Sequence, residues 1–241
     1  QNTESIKTTI DTVLSLDPDR LALYHYAHLP HIFKPQRRID TNVVPGSEEK
    51  LDMLQYCVQT LTERGYVFIG MDHFAKPDDE LSIALKEGFL QRNFQGYSTY
   101  ADCDLVAIGV SSIGKIGSTY SQNERDIDAY YAALDAGHLP IMRGYQLNQD
   151  DILRRNIIQD LMCRFSLDYQ IYESVFGIPF SRYFAAELED MKQLETLGLV
   201  RLKPHSLTVT PKGRFLIRNI AMVFDYHLRH KETKAKYSQT V

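Results

Sequence analysis

The chain has 241 residues, enough for one large domain or two smaller ones, and its 24% charged and 44% hydrophobic residues are ordinary for a globular protein. Its formal net charge of −4 gives no general reason to expect nucleic acid or an anionic membrane as a partner. The apolar runs are only a few residues long, so the sequence predicts no transmembrane helix.

The three cysteines are Cys57, Cys103 and Cys163, which lie far apart in the sequence. An odd number of distant cysteines disfavours a disulfide framework and favours a reducing compartment, so we expect a cytoplasmic protein. The same spacing disfavours a self-contained zinc or iron–sulfur site, because such sites usually need local pairs of cysteines.

The first 143 residues alternate between helical patterns and short apolar runs. Helices are predicted over residues 5–16, between Ser47 and Gly65, and over residues 80–91 and 124–136. Strands are predicted over residues 20–27, 66–70 and 105–110, and loops over residues 30–46, 93–100 and 111–121. This alternation is typical of a parallel α/β sheet or barrel, in which the loops after the strands build the active site. We therefore expect the site near residues 24–28, 71–74 and 109–117.

The pattern changes near residue 143, where we place a domain boundary. Beyond it, helices are predicted over residues 150–165 and 182–197, β-like runs over residues 199–202 and 207–210, and a final helix from Thr210-Pro211 toward Arg229. The order helix, helix, hairpin, helix is typical of a winged-helix domain.

Residues 109–115 (GVSSIGK) almost match a phosphate-binding P-loop that follows a strand. The next residue is Ile116, whereas a P-loop needs a hydroxyl there to hold magnesium. We therefore interpret the segment as a glycine turn whose backbone can approach a ligand closely.

Other side chains in the predicted loops suit more than one role. Asp72 and His73 could form an acid/base or ligand-orienting pair, or could be structural. His28 and His31 are spaced for a metal but lack a third ligand. Several basic residues would suit a polyanionic ligand if they converge, because Arg binds carboxylates bidentately; they are Arg37, Arg38, Arg92 and Lys115.

The sequence of the second half is also compatible with a non-enzymatic function, that of a winged-helix DNA-binding or regulatory module. Arg214 and Arg218 on the final helix would then contact phosphates. Four acidic residues nearby weaken this reading, and nucleic acid is not the favoured partner; they are Glu187, Glu189, Asp190 and Glu195.

Several motifs resemble the oxygen-independent coproporphyrinogen III oxidase family, in order along essentially the whole chain. They are YAHLP at residues 26–30, GMDHFA at 70–75, PDDEL at 77–81, RNFQGY at 92–97, GVSSIGKIG at 109–117 and GRFLIRNIAMVFD at 213–225. The resemblance implies an α/β fold with a partial (β/α) barrel over residues 1–143 and a mostly helical, winged-helix-like domain over residues 144–241.

The resemblance also implies an activity and its cofactors. Members of the family are radical S-adenosylmethionine enzymes that decarboxylate two propionates of coproporphyrinogen III to vinyl groups in haem synthesis. The resemblance implies two S-adenosylmethionine molecules, one [4Fe–4S] cluster and an electron-donor protein. It places Ala27 and Ile113 against S-adenosylmethionine, and Gln95 at the second S-adenosylmethionine site. A haem-chaperone relative of the oxidase stays open as an alternative.

Two family motifs have no counterpart in this chain: the cluster motif and the glycine-rich S-adenosylmethionine motif that follows it in the family. The cluster motif C-x-x-x-C-x-C does not occur, so the resemblance supplies neither a metal ligand nor a catalytic residue. We therefore expect the chain to be the C-terminal half of a longer protein and to be inactive alone. A half barrel exposes sheet edges and apolar interior, so we also expect self-association.

Overall fold

The computed structural model describes residues 2–100 and 103–230, which form helices and short strands. The helices are α1 Thr3–Ser15, α2 Ser47–Glu63, α3 Glu80–Glu87, α4 Ile127–Asp135, α5 Gln149–Arg164, α6 Tyr169–Phe176, α7 Phe180–Tyr183, α8 Ala185–Thr196, α9 Pro211–Phe215, α10 Ile217–Met222 and α11 Tyr226–Arg229. The strands are β1 Arg20–Ala22, β2 Val67–Gly70, β3 His73–Ala75, β4 Gln91–Asn93, β5 Gly96–Ser98, β6 Ile113–Ile116, β7 Thr119–Asn123, β8 Ile141–Gln146, β9 Ser166–Asp168, β10 Val200–Lys203 and β11 Ser206–Val209. Two 3₁₀ turns, Lys34–Arg38 and Thr41–Val43, lie in the predicted loop 30–46.

The strands form four small open sheets, ordered β1-β3-β2, β4-β5, β6-β7-β8 and β10-β11-β9. Every strand pairing among the described residues is antiparallel, so the expected parallel pairing is wrong for this part of the chain. The physical reason is a tight turn at Met71, whose φ is 52°, which sends the chain back as β3 between β1 and β2. Strands β1 and β2 therefore run in the same direction but are separated by β3.

The predicted strand over residues 105–110 is wrong. Only Leu105 makes a bridge, to Lys115, and the side chains of Val106 and Ile108 are exposed. The glycine-rich segment that follows is itself the hairpin β6–β7. The predicted loop over residues 93–100 likewise contains part of a hairpin, β4–β5.

The largest hydrophobic core lies in the second half of the chain. Its centre is a group of stacked and tilted aromatic rings on α6, α7 and the segments that follow α7 and α10, made by Tyr169, Tyr172, Phe180, Phe184 and Phe224. The predicted helices there are confirmed to within a few residues, but the last one is broken into α9, α10 and α11. Strand β9 and helix α6 were not predicted.

Two smaller cores lie under the first half. One packs α1 and α2 against β2 and β3, and the other packs β2, β3 and α3 against α5. Helix α4 has no buried residue, and the side chains of β8 are exposed along its whole length. In the described part of the chain, each helix is too short or too polar to span a bilayer.

Asp151, at the start of α5, is the most heavily hydrogen-bonded carboxylate of this region. It accepts from the Asn148 N–H and the Tyr145 hydroxyl, both at 3.1 Å, and its other oxygen lies 2.9 Å from His227 Nε2. Burial by itself would raise the pKa of Asp151, but the hydrogen bonds together bring it below its ordinary value. The contact with His227 also ties the segment after α10 to the start of α5.

We expect the D151N variant to lose part of the acid sensitivity of folding. A carboxylate with a lowered folded-state pKa stabilises the fold above its unfolded-state pKa, and that stabilisation disappears as the pH falls through the folded pKa. Urea unfolding between about pH 7 and pH 3 should therefore show a flatter decline for D151N than for the unchanged chain. The exposed Asp52 of α2 supplies the control, since D52N should leave the pH profile unaltered. Parallel profiles for D151N and the unchanged chain would contradict this account.

Candidate functional site

The turn between β2 and β3 places Asp72 and His73 side by side. The Nδ1 of His73 lies 2.5 Å from the Asp72 carboxylate, and both side chains are mostly buried. The chain can turn here because Gly70, with φ of 153°, leaves room for the Tyr97 hydroxyl, which a Cβ would approach to 2.6 Å. The two residues singled out by sequence therefore form a fixed hydrogen-bonded pair.

The segment that carries Ala27 packs beside this pair. The Leu23 N–H donates to the Asp72 carbonyl at 2.8 Å, and the Tyr24 ring meets the His73 ring edge-on at 6.2 Å. Ala27 itself is exposed, and its carbonyl accepts from Gln36 Nε2 at 3.1 Å. Gln36 also accepts from the Leu29 N–H and thus fixes the shape of this loop. Sequence reasoning missed Gln36, because no local pattern marks a clamp nine residues away.

Gln95 lies at the tip of the hairpin β4–β5. Its N–H donates to Asn93 Oδ1 at 2.8 Å, and its side chain is exposed. The following residue, Gly96, has a φ of 135° and packs against the imidazole, where a Cβ would lie 3.2 Å from His73 Nε2. His73 is therefore in contact with both the Tyr24 segment and the Gln95 hairpin.

Ile113 lies on β6, and the neighbouring strand β7 contacts the hairpin that carries Gln95. Ile113 pairs with Gln122 on β7, and Tyr120 of β7 meets the Phe94 ring edge-on at 5.3 Å. The segments that carry Ala27 and Gln95 thus both contact His73, and the hairpin that carries Ile113 contacts the Gln95 hairpin.

The glycine-rich loop before β6 is not built as a phosphate cradle. Its N–H groups bond within the protein: Gly109 donates to the Tyr130 hydroxyl and Ser111 to the Glu124 carbonyl. The side chain of Asn123 donates to the Gly109 carbonyl at 2.9 Å and so fixes the loop to β7. A P-loop would instead turn its free N–H groups toward a ligand, so the structure agrees with the turn interpretation.

The basic residues of the predicted loops divide into two groups. Arg37 donates to the Pro30 carbonyl at 2.9 Å, away from the hairpins. Arg92 and Lys115 line one cavity. The expected convergence therefore holds for these two, whereas Arg37 and Arg38 do not line that cavity.

The cysteines and histidines do not assemble a metal site in residues 2–100 and 103–230, where no group of three or more His, Cys, Asp or Glu side chains could hold an ion. Burial raises the pKa of the Cys57 thiol to about 11 and that of the Cys163 thiol to about 12. Both thiols therefore stay protonated and pack as small apolar groups. His28 Nε2 lies 3.3 Å from the Gln36 carbonyl.

Arg214, one of the two proposed DNA contacts, makes its contacts inside the protein. Its Nη2 donates to the Phe68 carbonyl at 2.6 Å, and its guanidinium lies 4.2 Å from the centre of the Phe165 ring. Burial lowers the pKa of Arg214. Of the two arginines that a DNA-binding winged helix would use to contact phosphates, Arg214 is therefore occupied inside the protein and only Arg218 is exposed.

Comparison with known proteins identifies close relatives. Residues 147–216 match a family model described as the HemN C-terminal domain. Oxygen-independent coproporphyrinogen III oxidase from Pseudomonas aeruginosa is 49% identical over 95% of this chain and 50% of its own length, and that from Escherichia coli K12 is 46% identical over 100% and 53%. The enzyme of the same name from Thermostichus vulcanus is 45% identical over 96% of this chain and 71% of its own length.

A solved structure matches closely as well. It is coproporphyrinogen III oxidase (HemN) from Escherichia coli, described as a Radical SAM enzyme, with a TM-score of 0.90 and 47% identity. The match covers 95% of this chain and 52% of that one. This chain thus spans about half the length of most of the relatives it matches.

We expect the Y97F variant to destabilise the fold, because the Tyr97 hydroxyl donates to the Met162 carbonyl at 3.0 Å. That carbonyl lies in the last turn of α5 and has no partner within the helix. The loss should be about 1–3 kcal/mol, the cost of a buried unpaired polar group. Urea denaturation measures it, with Y131F as the matched control at an exposed tyrosine. Equal midpoints for the two variants would show that the hydroxyl contributes nothing.

Proposed function

We propose, because this chain belongs to the oxygen-independent coproporphyrinogen III oxidase family, that the protein it represents oxidatively decarboxylates two propionates of coproporphyrinogen III to vinyl groups. The observation that carries the proposal is the close match in fold and sequence to a solved coproporphyrinogen III oxidase. The packing of the Ala27 and Gln95 segments against His73, and of the Ile113 hairpin against Phe94, supports it from the site itself. Because the chain spans about half of most of these relatives, the activity belongs to the longer protein.

The name Radical SAM implies S-adenosylmethionine and an iron–sulfur cluster. The described residues do not fit the cluster, since no thiol group with metal-ligand geometry is present among them and the two buried thiols stay protonated. We therefore derive no step through the cluster. The cluster belongs, in this proposal, to the part of the protein outside this chain.

The same residues fit S-adenosylmethionine better. Ala27 presents a small exposed side chain on a loop clamped by Gln36, and Gln95 presents an exposed amide on a rigid turn. When bound, S-adenosylmethionine supplies the hydrogen-atom abstraction of the family's chemistry. In our proposal this chain contributes Ala27 and Ile113 to S-adenosylmethionine binding and Gln95 to the site of the second molecule. The electron-donor protein and the cytoplasmic location stay predictions.

The finer architecture is also a proposal. Strands β1 and β2 run in the same direction and are the elements that we assign to the end of a (β/α) barrel. We propose a division near residue 143, supported by the family model that begins at residue 147. The second part, with its three-stranded sheet and flanking helices, is then the winged-helix-like domain.

The function is tested with the protein encoded by the complete reading frame around this sequence, reconstituted with iron and sulfide without oxygen and supplied with S-adenosylmethionine and a one-electron reductant. We expect it to convert coproporphyrinogen III, whereas the 241-residue chain alone should not. An A27L substitution should raise the KM for S-adenosylmethionine about tenfold by crowding the ligand. The exposed Ala129 of α4 provides the control variant A129L, which should behave normally.

Two results would overturn this assignment. A complete protein that binds haem tightly and leaves coproporphyrinogen unchanged would favour the haem-chaperone relative. A protein whose reading frame begins just before this sequence and holds no cluster would remove the radical mechanism altogether.

We expect the isolated chain to self-associate at micromolar concentration, because large apolar side chains are exposed along its first part. Ile108 is 84% exposed and Leu139 is 78% exposed. Changing both to Asp should shift sedimentation toward the monomer. Leu197, 59% exposed in the second part, supplies the control L197D, which should leave association intact. A monomer of the unchanged chain throughout the concentration range would contradict the expectation.

A further inference from the structure

A cavity of about 880 Å³ lies where the hairpins β4–β5 and β6–β7 face helices α5 and α6. Its volume falls in the range of small-molecule sites, about 300–1,000 Å³. One part of its wall is apolar and aromatic, formed by Phe94, Tyr120, Ile158, Tyr172 and Phe176. The cavity therefore offers a surface on which a flat apolar ring system can pack.

Three cations from three different elements line the same cavity: Arg92 on β4, Lys115 on β6 and Arg155 on α5. No ion pair within 4 Å joins any of them to a carboxylate in the described residues. Arg92 Nε and Arg155 Nη1 are buried and have no hydrogen-bond partner among those residues. Folded proteins seldom leave buried donors of this kind unpaired, so the two groups point to a ligand that accepts from them.

Two carboxylates also line the cavity, but both are already engaged. Asp160 accepts from the Tyr172 hydroxyl at 2.6 Å and pairs with Arg164 at 3.4 Å. Asp104 accepts from the Gly117 N–H at 2.8 Å. Arg164 compensates Asp160, and the three cations outnumber Asp104, so the cavity wall keeps a net positive charge.

The strand and the helix that carry the two arginines are joined before any ligand arrives. Gln91 precedes Arg92 on β4, and Gln159 lies one turn after Arg155 on α5. The Gln159 side chain donates a hydrogen bond of 2.9 Å to the Gln91 side chain. The Arg92 guanidinium also lies 5.7 Å from the centre of the Tyr97 ring. The backbone positions of Arg92 and Arg155 are therefore set before binding, which lowers the conformational cost of binding an anion.

We propose that this cavity binds the propionate carboxylates of the tetrapyrrole substrate, an inference that rests on the proposed function. Arg92 and Arg155 bind carboxylates through paired N–H groups, Lys115 contributes a third cation, and the apolar wall packs against the pyrrole rings. A carboxylate could also come from the amino-acid end of S-adenosylmethionine. Three cations favour a ligand with several carboxylates, because S-adenosylmethionine carries a net positive charge and would be repelled.

The test is fluorescence titration of the 241-residue chain with coproporphyrin III, a stable fluorescent relative of the substrate. R92Q and R155Q should each raise the Kd about tenfold, the loss expected for one charge-assisted contact. The exposed Arg218 of α10 supplies the control, since R218Q should bind normally. Etioporphyrin III, which has the same ring and no carboxylates, should bind all four proteins alike. R155K, which keeps the charge, replaces R155Q if circular dichroism shows that R155Q does not fold.

Other outcomes overturn the inference in distinguishable ways. Equal coproporphyrin affinity in R92Q, R155Q and the unchanged chain would place the carboxylate site elsewhere, while turnover by the complete protein would leave the proposed function standing. If S-adenosylhomocysteine affinity falls in both variants and coproporphyrin affinity does not, the cavity takes an amino-acid carboxylate instead. If the complete protein shows no turnover while the arginine effects persist, the proposed function fails and the cavity is a carboxylate site for another tetrapyrrole.

Discussion

The rest of the site depends on one buried hydroxyl, that of Tyr97. It donates to the Met162 carbonyl, and so joins the hairpin β4–β5 to the end of α5. Burial raises the pKa of Tyr97, so the hydroxyl keeps its proton and its role as a donor. The ring of the same residue packs edge-on against His73 at 5.2 Å. One side chain thus fixes the positions of the helix, the hairpin and the Asp72–His73 turn relative to one another.

Arg214 makes a second connection of the same kind. It extends from α9 to the carbonyls of Phe68 and Ile69 on β2 and lies between the Phe68 and Phe165 rings. No carboxylate accompanies it among the described residues, so its charge is compensated by carbonyl dipoles and ring faces. Because Tyr97 and Arg214 both bridge β-hairpins of the first part to elements of the second, the candidate site is held by the larger core.

The sequence predicted the features that depend on local patterns. Helix α5 is an example, because Asn148 and Asp151 form a capping box and the apolar residues recur at helical spacing. The hairpins β4–β5 and β6–β7 were missed because their strands of three to five residues show little alternation and their polar tips read as loops. Gln36, Asn123 and Tyr97, which fix the site, act through contacts 9 to 65 residues away, and no local pattern marks such contacts.

Two adjacent arginines of α5 show why the cavity is more than a packing defect. Arg154 is buried and fully engaged, bonded to Asp150 and Glu187 at 2.8 Å each and to the Phe224 carbonyl. Arg155, the next residue, lies on another face of the helix with an unpaired buried nitrogen beside open space. Arg214 also has an unpaired nitrogen, but aromatic rings pack against its guanidinium. An unpaired guanidinium therefore points to a ligand only where, as at Arg92 and Arg155, it borders a cavity.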